Sequence, residues 1–173
     1  MKILVILFVG LLLRLYGLNW DAGFHLHPDE RWLIMVAERL SWQDLNPHFF
    51  AYGALPLYIL RTVAHAAALF NPQLSTYQGI IYVGRVLSAL FDTGTIFLVY
   101  LISKKLFEFL NLKNCNLFGT CNFEFGILPA GLYATAVFPL QSSHFFTVDP
   151  FLTFFVTLSL YFLLSFQPPI SNF

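Results

Sequence analysis

The chain has 173 residues, of which 58% are hydrophobic, 18% aromatic and only 10% charged. Soluble domains carry roughly 25% charged residues, and a mean hydropathy of +0.70 with 21 phenylalanines exceeds what a core of this size could hide. A soluble globular enzyme is not expected, and disorder is excluded; nine basic residues balance nine acidic ones, leaving no global field to attract nucleic acid.

A membrane-spanning helix takes about 20 residues, so the expectation is an all-α integral membrane protein with about four transmembrane helices. The first apolar run is 3–18, interrupted by Arg14 and closed by Asn19 and Trp20. Lys2 and the apolar residues after it could read as a signal peptide. No small-residue cleavage site follows, and Arg14, Tyr16 and Trp20 form an interfacial flank instead, so the run reads as an uncleaved anchor.

Residues 19–79 then form one large external loop. Within it Pro28 starts a helical pattern over 28–40, with Asp29 and Glu30 in its first turn and an apolar side carrying Trp32, Ile34, Met35, Val36 and Leu40. Asn46-Pro47 and Tyr52-Gly53 are turn signals. The apolar stretch 55–70 carries Arg61 and His65 and is short for a span. Placing it in the interface makes Lys104, Lys105 and Lys113 cytoplasmic, as the positive-inside rule prefers. The loop thus reads as two interfacial helices lying on the outer leaflet.

Three further spans are expected at 80–102, 125–140 and 151–166, with both termini cytoplasmic. Between the last two lies a tight hairpin containing Gln141-Ser142-Ser143-His144. Cys115 and Cys121 match no redox motif and are too few for a structural zinc site; they read as ordinary loop residues.

Charges are scarce, so their positions carry the functional argument. Asp29 and Glu30 open one helix and Asp149 heads the last span, where carboxylates offset the helix dipole. The topology places all three at the outer interface, although they lie far apart in sequence. Because neighbouring helix residues point in different directions, one carboxylate of the Asp29–Glu30 pair is expected to face a substrate while the other orients it. Arg14, Arg85 and Asp92 fall within apolar runs, where an ionisable group costs at least about 2.5–3.5 kcal/mol and needs a partner. Arg85, Ser88 and Asp92 share one helix face, which fits a structural polar seam. Alternatively Arg14 and Arg85 offer planar guanidinium forks to a lipid phosphate. His144 reads as a hydrogen-bonded interfacial histidine or, alternatively, as a further candidate for substrate contact.

Several segments resemble a known family. Arg14-Leu15-Tyr16-Gly17-Leu18 followed by His27-Pro28-Asp29-Glu30 looks like the first span and first external loop of membrane glycosyltransferases of the GT-C fold. The likeness is to the protein O-mannosyltransferase and aminoarabinose-transferase branch (glycosyltransferase family 39-like), whose first loop carries an Asp-Glu motif. Tyr52-Gly53-Ala54-Leu55-Pro56-Leu57-Tyr58, Gly84-Arg85-Val86-Leu87-Ser88-Ala89-Leu90-Phe91-Asp92 and Ser143-His144-Phe145-Phe146-Thr147-Val148-Asp149-Pro150 continue it in the family's order.

The resemblance implies a polyprenyl-phosphate-linked sugar as donor, a hydroxyl acceptor on a protein, lipid or glycan, and inverting transfer at the external face of the plasma (inner) membrane. Asp29 would match the catalytic carboxylate, with Glu30 its neighbour and Asp149 the second acidic position. Arg14, Arg85 and His144 would contact lipid phosphate or acceptor. A divalent cation is compatible with these residues but not specified by them. Family members have many more spans, so the chain is expected to be an N-terminal portion. The alternatives are a non-catalytic membrane scaffold or degenerate relative, and a lipid or solute transporter.

Overall fold

A computed structural model describes residues 1–109 and 126–166. Cys115, Cys121, Lys113, Phe125 at the start of the third expected span, and the tail after Phe166 lie outside the described residues. Among the described residues seven α-helices follow in order: α1 (Lys2–Leu15), α2 (Pro28–Arg39), α3 (Leu55–Ala68), α4 (Tyr77–Phe109), α5 (Ile127–Thr135), α6 (Val137–Ser142) and α7 (Asp149–Phe166), with a short 3₁₀ turn at Pro72–Ser75 before α4. No strand occurs among the described residues.

Local sequence explains the boundaries. The chain leaves α1 through Tyr16 in extended backbone and Gly17 at φ +73°, a left-handed conformation that glycine adopts without steric cost. Pro28 occupies the first position of α2, where its missing N–H would be unpaired anyway. His27 caps that helix, its Nδ1 accepting the Glu30 N–H at 3.2 Å. The third expected span is not one helix: Ala136 is extended and separates α5 from α6. A proline ring clashes with the carbonyl four residues back, and Pro139 puts that clash at Thr135, where α5 ends.

Two helices among the described residues, α4 with 33 residues and α7 with 18, are long and apolar enough to cross a membrane. At 1.5 Å per residue α4 extends about 50 Å and α7 about 27 Å, against a hydrocarbon core of about 30 Å. The other two expected spans do not reach that length as single helices: α1 has 14 helical residues and the third run is broken at Ala136. The 14-residue α3 extends only about 21 Å.

Helix directions follow from the contacts. Along α1, Gly10 meets Ile96, Arg14 meets Asp92 and Leu18 meets Arg85, so α1 runs antiparallel to α4. Ala130 packs with Ile96 and Tyr133 bonds Asp92, so α5 is antiparallel to α4 as well. Phe146 sits on Gly84, Phe151 on Phe91 and Phe154 on Gly94, so α7 runs parallel to α4. A Cβ on Gly84 would lie 2.7 Å from the Phe146 ring, which shows how closely the segment before α7 approaches α4. The starts of α4 and α7 and the end of α1 therefore share one end of the bundle, and α2 and α3 pack there. The main core joins Leu33, Ile34 and Ala37 of α2, Leu57, Leu60 and Ala64 of α3, and Ile80 and Ile81 of α4 with Phe146 and Phe151.

Candidate functional site

The face of α4 that carries Arg85, Ser88, Asp92 and Thr95 is buried. Guanidinium groups in such a setting require partners, and Arg85 and Arg14 both have carboxylate partners, although the Nη2 of Arg14 finds none among the described residues. Arg85 donates through Nε and Nη2 to the two oxygens of Glu30, at 2.9 and 2.7 Å. It donates through Nη1 and Nη2 to the two oxygens of Asp21, at 3.1 and 2.8 Å, and through Nη1 again to the Leu18 carbonyl. All five N–H donors of the group are thereby used. The Trp20 ring covers the same guanidinium at 5.4 Å. Arg14 forms a second node: its Nε donates to Asp92 Oδ2 at 2.6 Å, and its Nη1 donates to the carbonyls of Gly10 and Ala134. The Tyr133 hydroxyl donates to the other Asp92 oxygen at 2.7 Å.

Two guanidiniums thus face three buried carboxylates. Neutral donors help to hold the extra negative charge: the N–H of Gly23 on Asp21, the N–H of Phe146 on Glu30, and the Tyr133 hydroxyl on Asp92. Hydrogen bonds from Arg85 hold the Asp21 carboxyl well below the usual carboxylate range, at about 2, against the opposing effect of burial.

These contacts correct the expected roles of three residues. Arg85 and Arg14 are not phosphate ligands in this arrangement. Arg85 has no donor left, and Arg14 is wholly buried between α1, α4 and α5. Glu30 is fully buried and ties α2 to α4 and to the Phe146 backbone, so it does not face a substrate. His144 is also occupied. Its ring nitrogens face the carbonyls of Leu140 and Tyr16 at 2.7 and 2.8 Å, linking α6 to the end of α1.

Asp29 and Asp149 behave differently. Both are exposed, and neither side chain makes a hydrogen bond or ion pair within the described residues. Each stands in the first turn of its helix, and the parallel course of α4 and α7 puts both at the same end of the bundle. The connection between them is short. His27, two residues before Asp29, stacks on Phe145 at 4.4 Å, and the Phe146 N–H reaches Glu30 at 2.8 Å. Asp149 follows three residues later. Beside it an apolar groove of about 350 Å³ runs between Tyr52, Leu55 and Pro56 on one side and Val148, Phe151 and Phe155 on the other.

No cluster of three or more His, Cys, Asp or Glu side chains capable of holding a metal ion occurs among the described residues. A divalent cation therefore has no assembled donor set among the described residues. Sequence reading missed Asp21 and Tyr133 as partners in the seam. The need of Arg85 and Asp92 for partners pointed to such residues, but nothing local named them. No protein-family model matches this chain, and neither does any curated protein or solved structure.

Proposed function

We propose that this chain carries the reaction-centre portion of a membrane glycosyltransferase that takes a sugar from a polyprenyl-phosphate donor. One observation carries the reading: two exposed carboxylates without partners among the described residues, Asp29 and Asp149, flank one junction beside an apolar groove. Carboxylates that served only as structural caps or ion pairs would be engaged, as Glu30 is.

In this mechanism α4 and α7 cross the bilayer in one direction, and α1 and the α5–α6 pair return in the other. The end bearing α2 and α3 lies at the external face of the plasma (inner) membrane. Asp29 takes the proton of an acceptor hydroxyl as that oxygen attacks the anomeric carbon. The new C–O bond forms on the face opposite the phosphate. The old C–O bond breaks and its electron pair leaves with the lipid phosphate, inverting the centre. Asp149 positions the acceptor, and the groove beside it holds the first part of the lipid chain. Arg31, exposed in the same helix and without an ion pair among the described residues, replaces Arg85 as the cation for the leaving phosphate. Arg85, Glu30 and Asp21 fix the end of α2 that bears Asp29.

The test is transfer from a radiolabelled polyprenyl-phosphate sugar in membranes containing the protein as it is naturally made. Asp29→Asn should lower turnover about 10²–10⁴-fold, the usual contribution of a general base. Unchanged turnover would remove Asp29 as the base. If no polyprenyl-phosphate sugar is consumed at all, the scaffold reading takes over, which the structural use of Glu30 and Arg85 favours.

A further inference from the structure

A second cavity, of about 370 Å³, lies between the end of α2 and the middle of α3. Leu40, Trp42, Leu45 and Tyr58 give it apolar and aromatic walls, and Arg61, Thr62 and His65 line it from α3. It is separate from the junction at Asp29. Arg61 holds the Leu40 carbonyl at 2.8 Å, and Leu40 lies eleven residues from Asp29, about 16 Å along α2. No phosphate could reach both.

Arg61 differs from Arg14 and Arg85 in forming no ion pair with a carboxylate among the described residues. Its Nε and Nη1 donate to the carbonyls of Leu40 and Ser75. Its Nη2, like the buried Nη2 of Arg14, has no hydrogen-bond partner among the described residues, but it stands beside a cavity. Burial pushes its guanidinium below its usual value, while Glu38 acts on it only through space. Asp44, in the turn beside the cavity, is exposed and directed to His48 at 4.0 Å. His65 uses Nδ1 on the Arg61 carbonyl, its Nε2 has no partner among the described residues, and the Trp42 ring stands edge-on to it at 6.3 Å.

A partly desolvated cation with no carboxylate in contact attracts an anion, and a guanidinium edge suits phosphate oxygens. The apolar walls exclude a purely hydrated anion as the natural occupant. Trp42 on the cavity wall is 67% exposed, and Leu69 and Phe70, just past the end of α3, are 85% and 92% exposed; such aromatic and apolar groups settle at a lipid interface.

We infer that the cavity between α2 and α3 binds a phosphate-bearing lipid, its headgroup on Arg61 and its chain against Trp42, Leu45 and Tyr58. The site rests on the membrane location of the chain and not on glycosyl transfer. It would survive loss of that reading.

The probe is phosphatidylglycerol with brominated acyl chains, mixed as a minor component into phosphatidylcholine bilayers containing the whole protein. The signal is quenching of Trp42 emission, taken as the difference between the natural protein and Trp42→Phe. Brominated phosphatidylglycerol should quench this signal at lower mole fraction than brominated phosphatidylcholine, by about fivefold for one basic residue at the surface. Arg61→Gln should remove that preference, and Arg61→Lys should keep most of it. Arg61 also supports two carbonyls, so Thr62→Phe serves as the second variant: it fills the cavity, leaves those bonds in place and should abolish the preference too. Equal quenching by the two lipids would overturn the proposal, reducing the cavity to a plain apolar groove. Displacement by millimolar inorganic phosphate would also overturn it, since the occupant would then be a free anion. Retention of the preference in Thr62→Phe would show that the lipid does not enter the cavity.

Discussion

Glu30 and Asp29 are adjacent carboxylates in the first turn of one helix, and they end in opposite environments. Glu30 is fully buried and receives three hydrogen bonds, two from Arg85 and one from the Phe146 N–H. Asp29 is exposed and receives none. Arg85 and Arg61 repeat the contrast among cations. Arg85 has every donor satisfied by protein, whereas Arg61 keeps Nη2 free beside a cavity. The difference separates two uses of scarce charge. A charge whose bonds are complete holds helices together, and one left open at the rim can act on something else.

The largest test of that division is Arg85→Leu. It strands Glu30 and Asp21 as buried, uncompensated carboxylates, so stability should fall by about 3–5 kcal/mol. Thermal unfolding in detergent would measure it. A loss under about 1 kcal/mol would mean that the seam is solvated and the contrast with Asp29 is false.

Asp21 gives the next effect, read through pH. Its carboxyl is depressed to about 2 from an ordinary 3.8, so its contribution is complete above about pH 4 and is lost as pH falls through 2. That contribution is worth about 2 kcal/mol. Asp21→Asn should therefore be less stable than the natural protein at neutral pH, and the gap should close on acidification. A gap that persists unchanged at pH 2 would assign the loss to packing instead.

Gly84→Ala sharpens the geometry of the junction. The added methyl would meet the Phe146 ring at 2.7 Å and push the segment carrying the N–H that binds Glu30. Overpacking of this kind costs about 1–3 kcal/mol, and amide hydrogen exchange at Phe146 should accelerate. Asp29→Asn comes last in stability. With no partner to lose, it should change unfolding by no more than about 0.5 kcal/mol while carrying the largest loss of transfer activity. A destabilisation comparable to that of Arg85→Leu would show that Asp29 is structural.

Much of the helical framework was legible along the chain. The expected helix over 28–40 is α2 at Pro28–Arg39, because proline at the start and acidic residues in the first turn mark a helix N-terminus. The stretch 55–70 is α3 at Leu55–Ala68, and the runs 80–102 and 151–166 lie within α4 and α7. The spacing of Arg85, Ser88 and Asp92 correctly marked one buried face. The third run looks continuous in the sequence because hydropathy does not register the clash between Pro139 and Thr135. The partners of the arginines were out of reach for a different reason. Glu30 and Asp21 stand 55 and 64 residues before Arg85, and Tyr133 stands 41 after Asp92. No local periodicity connects residues at such separations.

By itself the sequence determined that this is an apolar, helical chain whose few charges had to find partners or work to do. Burial of an ionisable group is costly enough that its presence in an apolar run is never neutral. Only the tertiary structure decided which charges took which course. Side chains one residue apart leave a helix in different directions, and the side on which α4 and the Phe145–Val148 segment pack turned Glu30 inward and left Asp29 outside.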